Sequence, residues 1–287
     1  MALMLAFSWG LNWPAIKIVL GEVPPFALRT MGLGTAAVLL LFFAAWQGRR
    51  LVPPAGSRLG IVAAGALTIV AFNFCTAFAQ LNTSTSRAAV LTYTMPTMSA
   101  LLAWALLGER PGRRGAVAVA LGALGIALLA WPALSASQGS AGMAGTSLRG
   151  PLFALAAALA WALGTIVTKK VAPVPDRVVA TAWQLALGGV CGAIASALAG
   201  ETWPRELSRG VALALGYHIV VATAFAYVLW YRLLDSASAT VSSLTALAVP
   251  VVGVAGAMAL VGDRPSGVDW AGFALVLAAA ALVLLRR

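Results

Sequence analysis

The chain has 287 residues, of which 61% are hydrophobic and only 9% are charged. A soluble domain is about half apolar and about a quarter charged, so this sequence lacks the polar residues that would cover its apolar mass in water. This balance excludes an ordinary cytosolic enzyme, a disordered chain and, despite a formal net charge of +11, a nucleic-acid-binding protein. We expect an integral membrane protein whose solvent and partner is the lipid bilayer.

Charge-free apolar runs predict the membrane-spanning helices, because about 20 residues, each rising about 1.5 Å, cross the hydrocarbon layer. In chain order the runs cover residues 1–16, 30–48, 59–86, 88–108, 115–148, 150–168, 178–200, 210–231, 236–262 and 270–285. The fifth should end near residue 133, where Trp131-Pro132 precedes a polar linker. The sequence therefore predicts an all-α polytopic membrane protein with ten transmembrane helices.

The first run opens the chain with no basic segment before it, which indicates a membrane helix rather than a cleavable signal peptide. Cys75 and Cys191 both fall inside apolar runs, so we expect two free thiols. The sequence has a single histidine, and its Cys and His spacing fits no metal site. We expect neither a metal nor another cofactor.

The distribution of basic residues predicts the orientation in the membrane. If the N-terminus and every second connection lie on one side, that side carries 12 of the 19 Lys and Arg residues, and the other side carries seven. Because cytoplasmic loops are enriched in Lys and Arg, we expect both termini in the cytoplasm.

The two halves of the chain resemble each other. Several residues of the first span recur in the sixth at an offset of 152 positions. Pro96 and Pro250 are each followed, after eleven residues, by a Gly-acid-Arg-Pro motif, at residues 108–111 and 262–265. Similar hydrophobicity alone would not reproduce this spacing together with its charges.

The repeat predicts how the chain is organised. Five helices is an odd number, so the second copy must enter the membrane from the opposite side, which makes an inverted repeat of the kind that supports alternating access. We expect the first five-helix repeat at residues 1–134, a linker at 135–149 and the second repeat at 150–287.

A ten-helix chain with these repeats, and with Trp-Gly-Leu-Asn-Trp-Pro at residues 9–14, resembles the EamA branch of the drug/metabolite transporter superfamily over its whole length. It is most similar to the bacterial aromatic amino-acid exporters of the YddG-like group. The resemblance implies an inner-membrane secondary transporter that exports aromatic or neutral amino acids and related small metabolites. It also implies a central cavity lined by helices 1, 3, 4, 6, 8 and 9, with helices 5 and 10 at the periphery. We expect a monomer, with a dimer as the alternative.

Polar residues in the middle of the third predicted span are candidates for substrate binding, because polar groups inside a membrane usually face a cavity or another helix. Asn73, Thr76 and Gln80 have the spacing of one helix face. Such a face could bind the ammonium and carboxylate groups of an amino acid. The alternative is hydrogen bonding between helices.

Aromatic residues in the first and sixth spans are further candidates. Trp9 and Asn12 lie in the first span, and Trp161 and Thr165 lie in its repeat partner. Tryptophans away from the membrane interface could form apolar and cation–π walls around a large zwitterion. Plain packing explains them equally well.

The fourth and ninth spans each combine hydroxyl groups with a proline. Tyr93 belongs to the fourth span, and Ser242 and Thr245 lie on one face of the ninth. Proline frees a backbone carbonyl and bends a helix, so hydroxyls beside it could bind substrate, or the small residues could simply pack closely. The predicted hinges for gating are Pro14, Pro96 and Pro250.

His218 lies within the eighth span and is a candidate for substrate contact. It could be a structural hydrogen-bonding group or a proton carrier. All eight acidic residues fall in loops or at predicted helix ends. Transport is therefore either uncoupled or coupled through His218 or a carboxylate near a helix end.

Four basic residues fall near the ends of predicted spans: Arg29, Lys17, Lys169 and Lys170. We expect their side chains to reach the interface as anchors, and we do not expect a phosphorylated substrate.

Other classes fit the sequence less well. A membrane enzyme would need a nucleophile with a base, or a metal cluster. A channel would commonly need a ring of charge. A proton-coupled exporter of cationic drugs would need a carboxylate in the middle of a span. The sequence shows none of these, and a multidrug or cationic-compound exporter is the alternative that we retain.

Overall fold

The computed structural model describes residues 1–107, 112–136, 147–170, 176–236 and 239–285, and all regular structure within these ranges is helical. Two π-helical segments, Ala66–Ala71 and Tyr217–Phe225, each lie between two α-helices. The α-helices are α1 (Ala2–Gly10), α2 (Asn12–Val19), α3 (Pro25–Trp46), α4 (Ala55–Gly65), α5 (Phe72–Asn82), α6 (Thr85–Thr92), α7 (Met95–Leu107), α8 (Arg113–Ala136), α9 (Arg149–Lys170), α10 (Arg177–Leu198), α11 (Arg209–Gly216), α12 (Ala226–Ser236), α13 (Ala239–Val261) and α14 (Gly267–Leu284).

Eight helical stretches among the described residues are long and apolar enough to cross a membrane, and a shorter apolar helix covers Thr245–Val261. The eight correspond to all the predicted spans except the fourth and the ninth. They are Ala2–Val19, Pro25–Trp46, Ala55–Asn82, Arg113–Pro132, Arg149–Thr168, Arg177–Leu198, Arg209–Trp230 and Gly267–Leu284. The chain is thus a multi-pass helical membrane protein.

The fifth span ends close to its prediction. Its membrane-spanning stretch is Arg113–Pro132, and α8, with Pro132 inside it, extends to Ala136. Most of the predicted linker at 135–149 and the whole motif at 108–111 lie outside the described residues.

Two of the three predicted hinge prolines coincide with helix breaks. Pro14 cannot donate to the carbonyl of Gly10 and its ring crowds that carbonyl, so α1 ends at Gly10 and α2 starts at Asn12. Pro96 stands in the same relation to Thr92, where α6 ends. Pro250, by contrast, lies within α13, which continues past it.

The two halves share local backbone features at equivalent positions. Gly48 and Gly200, which are 152 residues apart, follow α3 and α10 with φ angles of 68° and 63°. A residue with a side chain rarely adopts such angles, so both helix ends require glycine. The two π-helical segments also occupy equivalent places, in the third and eighth spans.

The helix pairs that build the core approach closely at small residues. α3 packs along α10, and a Cβ atom at Gly189 would lie 2.8 Å from the Cα atom of Gly34. α8 packs along α14, where a Cβ atom at Gly125 would lie 2.8 Å from the Val276 side chain. Such contacts drive helix association in lipid, where the hydrophobic effect does not act between helices.

Polar contacts between the halves close one end of the bundle. Arg87, in the first turn of α6, pairs with Asp269 of α14 at 2.6 Å. Asp263 accepts hydrogen bonds from the backbone N–H and the hydroxyl of Ser86, at 2.7 and 2.9 Å. Glu201 caps the N-terminus of α3 from the other half, because its carboxylate accepts the backbone N–H groups of residues 26 and 27.

A looser set of contacts lies at the opposite end. Arg49, after α3, pairs with Asp176 at 3.1 Å, and the Asp176 carboxylate also caps the N-terminus of α10. Arg49 and Glu201 are 152 positions apart and are thus equivalent in the two halves. Glu201 caps the N-terminus of α3, and Arg49 pairs with Asp176, which caps the N-terminus of α10.

Candidate functional site

A cavity of about 120 Å³ lies between the helices of the two halves. Its wall combines uncharged polar groups, aromatic rings and aliphatic side chains. The lining residues are Trp9, Asn12, Trp13, Ile16, Leu33, Phe72, Asn73, Thr76, Gln80, Tyr93, Met95, Trp161, Leu185, His218, Ala222, Thr223 and Tyr227. Eight of the eleven predicted substrate-binding residues are among them, whereas Thr165, Ser242 and Thr245 are not.

The two helix breaks border this cavity. Asn12 and Trp13 begin α2 immediately after the turn at Leu11. Tyr93 and Met95 flank the turn between α6 and α7. Each break therefore places the C-terminus of one half-helix and the N-terminus of the next, with their opposite partial charges, beside the cavity.

The polar face of α5 forms one wall, as the spacing predicts. Asn73 donates from Nδ2 to the carbonyl of Ile69 at 2.8 Å, and the Thr76 hydroxyl donates to the carbonyl of Asn73 at 3.0 Å. Gln80 is completely buried, and neither Nε2 nor Oε1 of its amide has a hydrogen-bond partner. A buried amide without partners is costly, so the amide of Gln80 would gain from hydrogen bonds to a ligand in the cavity.

Arg29 is not an interfacial anchor, and that prediction is wrong. The side chain is completely buried. Its Nε donates to the carbonyl of Asn73 at 2.9 Å, and its Nη2 donates to the hydroxyl of Thr76 at 3.2 Å. The charge-free run begins at residue 30, but α3 begins at Pro25, so Arg29 lies inside the helix with its side chain against α5.

Lys17 also differs from its prediction. Its Nζ donates to the backbone carbonyl of Gln80 and thereby joins α2 to α5, which directs the ammonium group inwards rather than towards the interface. The side chains of Lys169 and Lys170 lie outside the described residues.

His218 is buried and contacts two elements of the first half. Its Nδ1 lies 2.8 Å from Oδ1 of Asn12, and the tautomer with the proton on Nδ1 donates a hydrogen bond to that oxygen. Nε2 has no hydrogen-bond partner. A Cβ atom at Gly32 would lie 2.6 Å from this nitrogen, so the imidazole packs directly on the backbone of α3.

Aromatic pairs support the other walls. Trp9 meets Tyr227 at a centroid distance of 6.1 Å and Trp230 at 5.5 Å. Trp161 meets Phe72 at 5.0 Å. Trp9, Tyr227, Trp161 and Phe72 line the cavity and also pack on a neighbouring ring, so the two interpretations of the tryptophans, packing and cavity lining, are compatible.

The remaining predicted residues lie apart from the cavity. The hydroxyl of Thr165 donates to the carbonyl of Trp161 at 2.9 Å, and Thr245 is buried but does not line the cavity. The side chain of Ser242 lies outside the described residues. Leu33 and Leu185 add the second and seventh spans to the predicted set of lining helices. No described residue of the ninth span lines the cavity, and the side chains of residues 236–244 lie outside the described ones.

Sequence reasoning also missed several wall residues: Ile16, Leu33, Phe72, Met95, Leu185, Ala222 and Thr223. Most are apolar residues within apolar helices, which carry no local signal that separates a cavity from lipid or core. Phe72 is the exception. It lies one residue before Asn73, next to the polar face, and that position could have indicated that it lines the cavity.

The described acidic residues agree with the absence of a carboxylate in mid-span. Asp176 precedes α10, Glu201 and Asp263 follow α10 and α13, and Asp269 lies in the first turn of α14. Among the described residues, no group of three His, Cys, Asp or Glu side chains could hold a metal ion. Cys75 and Cys191 are free thiols, as predicted.

A bundle of apolar helices around an internal cavity with polar and aromatic walls defines the class of multi-pass membrane proteins with a central cavity. The model of the EamA-like transporter family matches residues 1–131 and 148–285. The chain therefore belongs to that family and is a membrane transporter, as the resemblance of its motifs implies.

Relatives cover nearly the whole chain. The probable amino-acid metabolite efflux pump of Salmonella typhimurium is 28% identical, over 97% of this chain and 91% of its own. An uncharacterized transporter of Synechocystis is 31% identical, over 96% and 86%. The uncharacterized inner membrane transporter YedA of Escherichia coli is 26% identical, over 99% and 89%. A crystal structure with 22% identity superposes with a TM-score of 0.63 over 99% of this chain and 96% of the other, which shows a shared fold.

Proposed function

We propose that this protein is an inner-membrane secondary transporter that exports amino acids, aromatic or neutral, and related small metabolites by alternating access. The observation that carries the proposal is the cavity wall, in which amide, hydroxyl and imidazole groups alternate with Trp9, Trp161 and Tyr93. Such a wall suits a zwitterion with a large apolar side chain. The printed name of the Salmonella relative, an amino-acid metabolite efflux pump, supports the same substrate class.

The proposed architecture is ten transmembrane helices in two inverted five-helix repeats, at residues 1–134 and 150–287, joined by the linker at 135–149. Three observations support this architecture. The family model matches the chain in two ranges, the glycines Gly48 and Gly200 lie at equivalent positions, and so do the two π-helical segments. The loop charges support cytoplasmic termini. We propose a monomer as the transporting unit.

The small cavity supports a transport cycle with helix movement. Ligand pockets commonly enclose about 300–1,000 Å³, whereas this cavity measures about 120 Å³. An amino acid therefore requires the helices around it to separate. We propose that α1–α2 and α6–α7 bend at the breaks before Pro14 and Pro96, with Pro250 as a further point of bending in α13.

The substrate-binding groups in this proposal are Trp9, Asn12, Asn73, Thr76, Gln80, Tyr93, Trp161 and His218, which line the cavity. Thr165, Ser242 and Thr245 are proposed to reach substrate in another state of the cycle.

A competition panel in proteoliposomes tests the substrate class. Vesicles preloaded with unlabelled L-phenylalanine should take up labelled L-phenylalanine, and aromatic and neutral amino acids should compete better than charged amino acids or cationic dyes. Empty vesicles are the control. Preferential competition by the dyes would instead identify the cationic-compound exporter, which the aromatic walls would also suit through cation–π contacts.

The absence of a mid-span carboxylate among the described residues supports uncoupled transport. A pH gradient alone should then leave labelled L-phenylalanine at equilibrium across the membrane. Accumulation above equilibrium, abolished by a protonophore, would assign the coupling to His218 or to a carboxylate at a helix end.

A further inference from the structure

Arg29 presents a cation for which the described part of the chain supplies no counter-ion. Its guanidinium is completely buried, and its recorded partners are a backbone carbonyl and a hydroxyl, both on α5. Its Nη1 is buried without a hydrogen-bond partner. An unpaired charge in a low-dielectric interior is costly, so this position is unfavourable unless something else binds the cation.

The cavity lies directly beyond the two residues that Arg29 contacts. Asn73 and Thr76 both line it, and so does Leu33, one helical turn after Arg29 on α3. Arg29 itself does not line the cavity, but both residues to which it donates do, so the guanidinium lies directly behind this part of the wall.

The same face of α5 carries two further features that attract an anion. The amide of Gln80 lines the cavity without a partner, and the Lys17 ammonium group binds the backbone carbonyl of that residue. The carboxylate of Asp263 accepts two hydrogen bonds from Ser86 and, through its charge, also attracts the Lys17 ammonium group. Two cations therefore flank the polar face of α5.

We propose that Arg29 is the receptor for the carboxylate of the cargo, reached at the cavity wall between Asn73 and Thr76, with the amide of Gln80 as the second contact. The guanidinium binds carboxylates through parallel N–H donors, which a lysine cannot reproduce. The cargo class is a small molecule with one carboxylate and an apolar body, and a cation without a carboxylate is excluded. This inference rests on the proposed function for its substrate class.

A ligand series with one ring and varied head groups tests the proposal on the unaltered protein. L-phenylalanine and 3-phenylpropionate keep the carboxylate, whereas L-phenylalaninamide and phenethylamine lack it. In counterflow of labelled L-phenylalanine, the two compounds with a carboxylate should compete at least about tenfold better than the two compounds without one. The loss of a charge-assisted hydrogen bond predicts this difference. If L-phenylalaninamide competed as well as L-phenylalanine, the proposal would be overturned.

Substitutions then assign the preference to Arg29. In Arg29→Gln the preference for 3-phenylpropionate over L-phenylalaninamide should disappear, and in Arg29→Lys it should be partly retained. The matched control is Arg58→Gln, because Arg58 is exposed and, among the described residues, donates to the carbonyl of Pro53 on its own segment. A purely structural Arg29 would reduce the yield of folded protein but leave the preference unchanged, and that result would reject the proposal.

Gln80→Leu provides the second variant if Arg29→Gln does not fold. Leucine has a similar volume, and the replaced amide has no partner to lose, so the variant should fold and weaken binding of both carboxylates while leaving that of phenethylamine unchanged. Unchanged binding of the carboxylates would count against the proposal.

A binding measurement separates this inference from the proposed function. The thermal unfolding midpoint of the purified wild-type protein should rise with 3-phenylpropionate and not with phenethylamine, because a ligand that binds the folded state stabilises it. If no amino acid supports counterflow but this shift occurs, the proposed substrate class fails and the carboxylate site stands. If counterflow occurs without any preference for the carboxylate, the site fails and the transport function stands.

Discussion

The two halves of the chain share their backbone plan but contribute differently to the cavity. Equivalent glycine turns end α3 and α10, and equivalent π-helical segments interrupt the third and eighth spans. The polar groups are unevenly shared, because the face of α5 and the buried Arg29 belong to the first half. In the second half, position 181, equivalent to Arg29, is a threonine. The two halves thus share a backbone framework, and the first half supplies 11 of the 17 residues that line the cavity.

The helix breaks show the same asymmetry. The residue equivalent to Pro14 is Ile166, and α9 continues through it. Pro96 and Pro250 are equivalent, but only Pro96 follows a break. Two residues before Pro96, the Thr94 hydroxyl donates to the carbonyl of Leu91 at 2.7 Å, which stabilises the turn. The residue two before Pro250 is an alanine, which cannot do so.

The largest expected effect comes from the contact that joins the halves at Gly32. In Gly32→Ala the new methyl group would lie 2.6 Å from Nε2 of His218, so we expect a loss of about 1–3 kcal/mol of stability. Gly34→Ala is the matched control, because its Cβ atom would lie 3.9 Å from the nearest atom of Gly189. The thermal unfolding midpoint in detergent measures the stability of both variants. Equal midpoints for Gly32→Ala and Gly34→Ala would mean that His218 does not pack on α3 as described.

The polar face of α5 gives the next effect. Asn73→Ala and Gln80→Ala should each reduce amino-acid transport by about three- to tenfold, as the loss of one hydrogen bond predicts. Thr168→Ala in the second half is the control, since Thr168 does not line the cavity, its hydroxyl donates to the carbonyl of Gly164 within its own helix, and the variant should retain nearly normal rates. Transport per folded protein in proteoliposomes is the measurement. Normal transport by both α5 variants would show that the first half does not supply the binding groups.

The difference between the prolines predicts a smaller effect on turnover. Pro14→Ala restores a backbone N–H and favours a continuous first span, so the maximal rate should fall a few-fold with little change in KM. Pro250→Ala removes a proline from a helix that is already continuous and should alter the rate less. Equal effects of the two substitutions would argue that the breaks are not points of bending.

The smallest expected effect is at the surface contact of Glu22 with Ser208. The backbone N–H of Ser208 donates to the Glu22 carboxylate at 2.9 Å, and hydrogen bonding to Ser208 lowers the pKa of Glu22 below its usual 4.5. Because the folded-state pKa is depressed, this contact stabilises the protein above pH 4.5 and is lost as the pH falls. Glu22→Gln should therefore lower the thermal midpoint slightly at pH 7 and not at all near pH 3. A difference that grows on acidification would contradict this sign.

Much of the site could be predicted from local patterns. The spacing of Asn73, Thr76 and Gln80 placed three polar groups on one face, and that face borders the cavity. Pro14 and Pro96 predicted interruptions because a proline acts on the carbonyl four residues before it. The prediction was wrong for Arg29. A charged residue next to an apolar run can lie at the membrane interface or inside the helix bundle. The sequence does not distinguish these two places, whereas the start of α3 at Pro25 does.

The sequence by itself determined the class of protein, most of the spans, the internal repeat and the family, because composition, apolar runs and motif spacing are local properties of the chain. The tertiary structure alone decided that Arg29 lies behind the cavity wall, that Lys17 points inwards, and that the second and seventh spans reach the cavity where no described residue of the ninth does. Those outcomes depend on which helix faces which. In a chain with apolar residues on every side of its helices, hydropathy does not distinguish a lipid-facing surface from a helix contact or a cavity.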